Sequence, residues 1–277
     1  MKNYSTQEIY NAFKSIKSDS TLLVHSSLAS LGKHENASLN AIPTLWIETL
    51  CKIVKNGTLL MPAFNYTFPK TRFLDLNTAR SEVGILSEAF RQTTKIRSNH
   101  PMFSFCGSGK RVKEILMPKS TLENMGEWNP FLENSVYHRL YLENAVMAFV
   151  GIDIRVCTYM VYVEAMCGVK YRYFKPFLGE ILTTENTRIK GEFYHFCLPL
   201  SEALKVNYFR VQQQMLENGI LKVFPLGASS IYLFYAQEFF HFTKQALANS
   251  PFILLETPPK HFYTFKNETE TILQKAD

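Results

Sequence analysis

Short runs of apolar residues alternate along this chain with segments in which apolar residues recur every three or four positions. This change in the spacing of apolar residues divides the chain into predicted strands and helices. Apolar runs predict buried strands at residues 21–25, 58–64, 145–152 and 221–225, and residues 96–105 are also strand-like. Apolar positions spaced three and four apart predict helices at residues 5–16, 43–54, 83–93, 110–117, 158–167, 204–218 and 229–247. Strands and helices therefore alternate through much of the sequence.

The period changes again late in the chain. Residues 171–184 and 188–198 alternate in the way that is typical of paired antiparallel strands. Together the elements predict an α/β fold: a mixed sheet flanked by helices, with an antiparallel portion late in the chain. Because no repeat, low-complexity tract or long Pro/Gly/Ser linker interrupts the sequence, we expect a single compact domain over residues 1–277.

Composition narrows the classes of partner. The 277 residues are 46% apolar, which is ample for a core, and the net charge is +6. Basic residues are scattered, so we expect no nucleic-acid partner, whereas small anions fit the charge. No run of about 18 uncharged apolar residues exists, and the N-terminus lacks the apolar segment of a signal peptide. We therefore expect no membrane partner and a cytoplasmic location.

Several familiar sites are excluded by spacing. The five cysteines are odd in number and form no C-x-x-C pair, so reduced thiols are expected and no metal site. Residues 107–110 (GSGK) resemble a phosphate loop, but Ser104 stands where its first glycine belongs and Arg111 replaces the final Ser/Thr. We expect an ordinary turn there. The chain has no G-x-S-x-G motif, so Ser26 and Ser27 are not hydrolase nucleophiles.

Three segments that follow predicted strands are candidates for ligand contacts. Residues 25–32 (HSSLASLG) are small and rich in hydroxyls, and they could expose N–H groups to a phosphate. Residues 97–104 (RSNHPMFS) add Arg97, and the third segment is the helix at 158–167, which carries Glu164 on an otherwise apolar face. Structural alternatives stay open, because the serines could cap a turn, His100-Pro101 could form one, and Arg97 could be a solvated charge.

With two further segments, 61–64 (MPAF) and 81–91 (SEVGILSEAFR), these stretches resemble the aminoglycoside 3-N-acetyltransferase-like family of coenzyme A-dependent N-acyltransferases. The last motif in the series runs from Gly151 to Glu164. The resemblance covers the first two thirds of the chain and continues weakly beyond it. It implies acetyl-CoA or another short acyl-CoA as cofactor, without a metal. The residues it implies for the cofactor are His25, Ser26, Ser27, Leu28, Ser30, Leu31, Gly32, Arg97, Ser98 and His100.

The sequence departs from the family pattern at two positions. Val161 stands where the family has the helix histidine that acts as general base, and Phe103 replaces a second histidine. A general base contributes about 10²–10⁴ in rate. Glu164, His25 or His100 could take over its role, the activity could be slow or lost, or the polypeptide could be an altered variant. We therefore expect catalysis to involve Glu164, His100 and the position of Val161, unless residues 158–164 only pack.

The acceptor can be narrowed by resemblance. Family members that bind cationic aminoglycosides carry an acidic residue where this chain has Arg155, so an anionic acceptor is expected, such as a nucleotide-linked amino sugar used in bacterial surface polysaccharide synthesis. Residues implied for the acceptor are Asn65, Tyr66, Arg155, Thr158, Tyr171 and Arg172. Alternatives are an aminoglycoside 3-N-acetyltransferase or a CoA-binding relative that is catalytically impaired. The apolar segment 233–242 could support a homodimer or be a core helix.

Overall fold

A seven-stranded mixed sheet organises the molecule, which we describe from a computed structural model covering residues 2–117 and 127–276. The strands are β2 (Thr21–Ser26), β4 (Thr58–Pro62), β6 (Ile96–Arg97), β7 (Phe105–Gly109), β9 (Val146–Val150), β12 (Lys222–Leu226) and β13 (Ser229–Tyr235). Their order in the sheet is β12-β13-β9-β2-β4-β7-β6. A short parallel pair, β1 (Asn3–Tyr4) and β3 (Lys33–His34), stands apart from this sheet.

The three central strands, β9, β2 and β4, are parallel. They are apolar runs buried almost throughout, as expected for parallel strands covered on both faces. Their carboxyl ends therefore lie at one edge of the sheet. Strand β7 runs antiparallel to β4 and pairs Phe105 with Pro62, so it begins at that same edge.

Successive residues of the central strands point into two different cores, one on each face of the sheet. Leu23 and Phe149 belong to the larger cluster, and Val24 and Ala148 to the smaller one. Helices α1 (Thr6–Phe13), α2 (Ile42–Ile53) and α4 (Ile85–Thr93) cover the smaller cluster. The helices that contribute to the larger cluster are α3 (Phe68–Thr71), α5 (Val112–Leu116), α6 (Val136–Leu142), α7 (Thr158–Met166), α8 (Phe209–Glu217) and α9 (Ala236–Asn249).

A second sheet has four strands in the order β5-β10-β11-β8. Its centre is the long antiparallel ribbon of β10 (Tyr173–Leu182) and β11 (Arg188–Cys197), flanked by β5 (Phe73–Asp75) and β8 (Glu127–Trp128). The chain ends in a hairpin of β14 (His261–Lys266) and β15 (Thr269–Lys275). The hairpin is tied to the ribbon because the Tyr173 hydroxyl donates to Glu270 at 2.7 Å. The predicted mixed sheet with a late antiparallel portion is confirmed.

Several predicted elements are wrong in their boundaries, and the helix expected at residues 204–218 begins only at Phe209. Residues 229–247 form a strand followed by a helix, because Ser229–Tyr235 pairs with β9 and with β12, and the helix begins only at Ala236. The residues Ile231, Tyr232, Phe234 and Tyr235 of SSIYLFY are types that are enriched in strands. Residues 96–105 are mostly a loop between two short strands, and Gly107 and Gly109, expected in a turn, lie in β7. Helix α6 and the C-terminal hairpin were not predicted.

Other expectations concern surfaces and thiols. None of the helices in the described ranges combines the length and the apolar character needed to cross a bilayer. All five cysteines are free; Cys106 and Cys157 are buried and the rest half-buried. Within residues 2–117 and 127–276, no three His, Cys, Asp or Glu side chains cluster in a way that could hold a metal ion.

Candidate active site

Four segments meet at the edge of the large sheet where β2, β4 and β9 end. They are residues 26–32, 63–67, 98–104 and 151–157. Backbone hydrogen bonds join them: Ser27 N donates to Val150 O at 2.8 Å, and Ala63 N donates to Ser104 O at 2.8 Å. The sheet thus brings together the candidate segments that are far apart in the sequence, as the edge rule for parallel strands requires.

The turn after β2 has an apolar inner side and a hydroxyl-bearing outer side. Leu28 and Leu31 are buried in the smaller core, so they anchor the turn and do not face a ligand. The hydroxyls of Ser27 and Ser30 lie 2.9 Å apart, and Ser30 is exposed. Ser30, with its exposed neighbours, is therefore the part of this turn that a ligand reaches first.

Two glycines from other turns pack against this same turn. Gly151 has φ +69° and Gly227 has φ +57°, a region that favours glycine. A Cβ atom at Gly151 would overlap the carbonyl of Ser27, and one at Gly227 would overlap that of Leu31. The turn from half-buried Ser26 to Gly32 is thus held in place from two directions.

His25 is the penultimate residue of β2 and faces the larger core. Its ring stacks on Phe149 with centroids 4.8 Å apart and planes 1° apart, and only 6% of the residue is exposed. Burial lowers its pKa to about 4, so the imidazole is neutral at physiological pH. Its Nε2 atom is buried without a hydrogen-bond partner among the described residues. A buried ring nitrogen in this state fits a ligand that reaches the end of β2.

Arg97 has a different environment from the one expected for a phosphate ligand. The side chain is 2% exposed, and its guanidinium donates to the carbonyls of Leu76, Ala79 and Ala63 at 2.6–2.9 Å. Its Nε donates to Ser104 Oγ at 2.9 Å. The predicted contact of Arg97 with the cofactor is therefore replaced by a role in holding loop backbone together.

The other polar residues of this loop are also engaged. Ser98 Oγ accepts from Phe105 N at 2.9 Å. His100 Nδ1 accepts from the amides of Met102 and Phe103 at 3.2 and 3.0 Å, so this nitrogen carries no proton. Burial, with a smaller contribution from His195, lowers the pKa of His100 to about 3. His100 therefore stabilises the loop, and its accepting nitrogen is not free to act as a base.

Helix α7 carries the positions expected to be catalytic. Val161 is half-buried and packs against the larger core, whereas Glu164 is fully buried. The Tyr171 hydroxyl donates to Glu164 Oε1 at 2.8 Å, and Arg172 Nε lies 3.0 Å from Glu164 Oε2. Both carboxylate oxygens thus have a partner. This arrangement corrects two expectations, because Glu164 is not poised for proton transfer and Tyr171 and Arg172 do not face an acceptor.

The charge of this buried pair is balanced internally. Burial, the largest single influence, lowers the pKa of Arg172, but the adjacent Glu164 carboxylate together with Tyr208 and Tyr171 raises it, and the net pKa is raised. Arg172 Nη1 also donates to Phe196 O at 3.3 Å, which ties helix α7 to strand β11. The pair is a structural link between the helix and the second sheet.

Within residues 65–67, the Asn65 amide is bonded inside the protein, whereas the Tyr66 ring is accessible. Asn65 Nδ2 donates to Glu82 Oε1 at 3.1 Å, and Asn65 Oδ1 accepts from the backbone N–H of Thr67 at 3.0 Å. Asn65 is buried, so it shapes the loop. Tyr66 is 53% exposed and is free to contact an acceptor. Thr158, half-buried at the first turn of α7, lies at the same edge of the sheet.

The segment before α7 is less basic than its sequence suggested. Arg155 is exposed, and its Nε lies 2.8 and 3.0 Å from the two carboxylate oxygens of Asp153. Asp153 also caps the short 3₁₀ turn by accepting from the Arg155 amide at 3.0 Å. The local charge is therefore close to neutral, and Arg155 alone does not create an anion site.

A cationic and aromatic surface lies on the second sheet. Lys175 Nζ is 5.3 Å from the Phe177 ring centre and 4.8 Å from that of Phe265, and the Arg72 guanidinium is 5.2 Å from Phe177. We call these four residues the Phe177 patch. In the described part of the chain, neither cation has a carboxylate within ion-pair distance. The aromatic residues of YFKPF, at 173–177, were the signal, but sequence could not show that Arg72 joins them.

The Phe177 patch adjoins the loop at 98–104. His195 pairs with Lys175 across the ribbon, and its ring stacks on Phe103 with centroids 5.0 Å apart. His195 Nδ1 is 2.8 Å from Cys197 Sγ. Burial, with smaller contributions from Arg172 and Lys175, lowers the pKa of His195 to about 4. The second sheet thereby connects the patch with a loop of the candidate site.

The fold is shared with several solved structures, among them an aminoglycoside acetyltransferase. The structure matches YokD from Bacillus subtilis with 22% identity and a TM-score of 0.69, covering 91% of this chain and 96% of that one. It matches AAC-IIIb in binary complex with CoASH at 16% identity and a TM-score of 0.72, covering 93% and 100%. A mutant of AAC(3)-IVa in complex with a gentamicin matches at 20% identity and a TM-score of 0.70, covering 93% of each chain.

An α/β sheet whose site segments meet at the carboxyl ends of parallel strands is thus the frame of a coenzyme A-dependent N-acetyltransferase. The chain belongs to the aminoglycoside 3-N-acetyltransferase family, whose sequence profile matches residues 23–248. Comparison with curated proteins gives no significant match.

Proposed function

We propose that this acetyltransferase moves an acetyl or other short acyl group from acyl-CoA to the amine of an amino sugar, and that the sugar is carried on a nucleotide diphosphate. The observation that carries the choice of acceptor is the Phe177 patch. Arg72 and Lys175 are cations without carboxylate partners in the described residues, and they flank an aromatic ring. Such a surface suits a planar base together with a diphosphate.

Acyl-CoA supplies an activated thioester. The turn at 26–32, with the exposed Ser30 hydroxyl, and His25 with its unpartnered Nε2 would hold it at the end of β2. In the transfer, the neutral amine attacks the thioester carbonyl carbon, a C–N bond forms, the C–S bond breaks, and the amine proton leaves as the CoA thiol is released. Position Val161 offers no proton acceptor, so rate enhancement would rest on proximity and on polar groups around the carbonyl.

A cationic aminoglycoside is the second candidate acceptor. The observation that favours it is the pair of carboxylates near the site, Asp153 before α7 and Glu82 beside Tyr66. Asp153 is matched by Arg155, and Glu82 already accepts from Asn65 and from the Tyr66 amide. Both carboxylates are therefore partly satisfied within the protein, which is why we prefer the anionic acceptor.

A third candidate is a CoA-binding relative without transfer activity. Val161 in the position of the base histidine and the engagement of Glu164 by Arg172 both favour it. It differs from the proposal in one measurable respect, because CoA would bind while no amine is acylated.

One assay separates the three functions. Purified protein is incubated with acetyl-CoA and either a nucleotide-linked amino sugar, the same free amino sugar, or gentamicin, and the products are identified by mass spectrometry. We expect acetylation of the nucleotide-linked sugar with the highest kcat/KM. A preference for gentamicin would overturn the choice of acceptor, and CoA binding by calorimetry without any acylated product would establish the silent relative.

A further inference from the structure

A cavity of about 360 Å³ lies beside β6, at the outer edge of the large sheet. It is lined mainly by basic and polar side chains, among them Arg91, Gln92, Thr94, Lys95, Arg97 and Thr184. The Cys106 side chain, which also lines it, belongs to the smaller core together with residues of α4. Leu76, another lining residue, belongs to the larger core, so the cavity lies at the margin of both cores. None of its lining residues belongs to the four segments of the candidate active site.

Among the described residues, the buried cation Arg97 has no countercharge. Its four hydrogen bonds to these residues go to neutral oxygens, those of Ala63, Leu76, Ala79 and Ser104. No carboxylate in the described part of the chain lies within ion-pair distance of it, and Asp75 and Glu88 act on it only from farther away. A buried charge that lacks a partner is costly, and an anion in the adjoining cavity would remove that cost.

The neighbouring charges do not cancel this excess. Arg91 is matched by Glu88, which it contacts through Nε and Nη2 at 2.8 Å each. Lys95 is exposed and has no ion pair within the described residues, so its ammonium can turn toward the cavity. Burial raises the pKa of Cys106 to about 11, so this thiol stays neutral and does not repel an anion.

We propose that this cavity binds a small oxyanion of the phosphate class, held between Arg97 at its inner wall and Lys95 at its mouth. A doubly charged tetrahedral anion matches one buried and one exposed cation, and the guanidinium groups of Arg97 and Arg91 keep N–H donors beyond those bonded to the described residues. The inference does not depend on the proposed acetyl transfer, because none of the lining residues belongs to the four segments of the candidate site.

Phosphate titration of the whole protein tests the proposal. At constant ionic strength set with chloride, we expect phosphate to raise the melting temperature in a saturable way and to broaden its ³¹P resonance. Lys95→Glu should weaken phosphate affinity at least tenfold. The control Lys55→Glu changes an exposed lysine between α2 and β4, outside the cavity wall, and should leave the affinity within twofold of the parent.

A second variant keeps the test independent of Lys95. Thr184→Glu places a carboxylate in the cavity wall, so we expect it to raise the melting temperature without phosphate and to abolish the phosphate response. Three results would overturn the proposal: no saturable response in the parent protein, equal losses of affinity in Lys95→Glu and Lys55→Glu, or an unchanged phosphate affinity in Thr184→Glu.

Discussion

The charged groups at helix α7 and those of the Phe177 patch differ in whether an opposite charge lies beside them in the described residues. Glu164 and Arg172 are buried and neutralise each other, and Tyr171 completes their hydrogen bonding. Arg72 and Lys175 lie against aromatic rings and have no acidic partner in the described residues. The comparison teaches that a conspicuous carboxylate can be part of the framework, whereas the groups available to a ligand are those whose charge the protein leaves unmatched.

The largest effect is expected from removing one member of the buried ion pair between Glu164 and Arg172. Glu164→Gln leaves Arg172 buried without its countercharge, so the free energy of unfolding should fall by about 3–5 kcal/mol, measured by urea denaturation. Glu114→Gln serves as the control, because Glu114 forms an exposed ion pair with Arg111 and should lose less than about 1 kcal/mol. Equal losses in the two variants would contradict the structural role of Glu164.

The second prediction tests whether helix α7 takes part in catalysis when Val161 is replaced by a histidine. Val161→His places an imidazole one helical turn from Glu164, and we expect kcat to rise by about 10²-fold, the lower end for a general base, because Glu164 is already held by Arg172. Steady-state assays over a range of pH should show a new acid limb. Val161→Ala is the control. If Val161→His leaves turnover unchanged, this helix face does not contact the reacting groups.

A third prediction concerns another ion pair, the one between Glu88 and Arg91. Hydrogen bonds from Arg91 lower the pKa of Glu88 from 4.5 to about 2, against the opposing effect of burial. Since the folded state has the lower pKa, the stabilisation is complete above pH 4.5 and is lost as pH falls toward 2. We expect a loss of about 2 kcal/mol between pH 5 and pH 2. The same pH titration of Glu88→Gln should show a smaller loss, and an identical loss would argue against this linkage.

The smallest effect is expected at the Phe177 patch. Lys175→Ala should raise KM for a nucleotide-linked amino sugar about tenfold, roughly 1.4 kcal/mol, with little change in kcat, because it removes one contact to the anionic part of the acceptor. Lys190→Ala is the matched control, since Lys190 lies on the same ribbon but beside Glu180. A similar rise in KM in both variants would mean that the effect is one of net charge only.

Sequence patterns predicted much of the fold for identifiable reasons. The buried parallel strands are continuous apolar runs, and the capping box of Ser5 and Glu8 marks the start of α1. Residues 229–235 were misassigned because aromatic residues occur at helical spacing as well as in alternation, and only pairing with β9 decides between them. Pairing of this kind is a tertiary contact that local periodicity does not contain.

The site was predictable as a set of segments but less so as individual roles. Strand order brings residues 26–32 to one edge, as their position after a predicted strand suggested, whereas residues 98–104 had been assigned to a strand. Sequence could not show that Arg97 turns inward to backbone carbonyls, or that Arg172 reaches Glu164. Both outcomes depend on which buried partner lies within reach in three dimensions.

Gly151 and Gly227 limit how this enzyme could be re-engineered. Each leaves room for a carbonyl of the turn at 26–32 that any larger residue would displace. Libraries that aim at new acceptors should therefore keep both positions unchanged and diversify Tyr66, Arg72 and Lys175, where a new side chain would not displace the turn at 26–32.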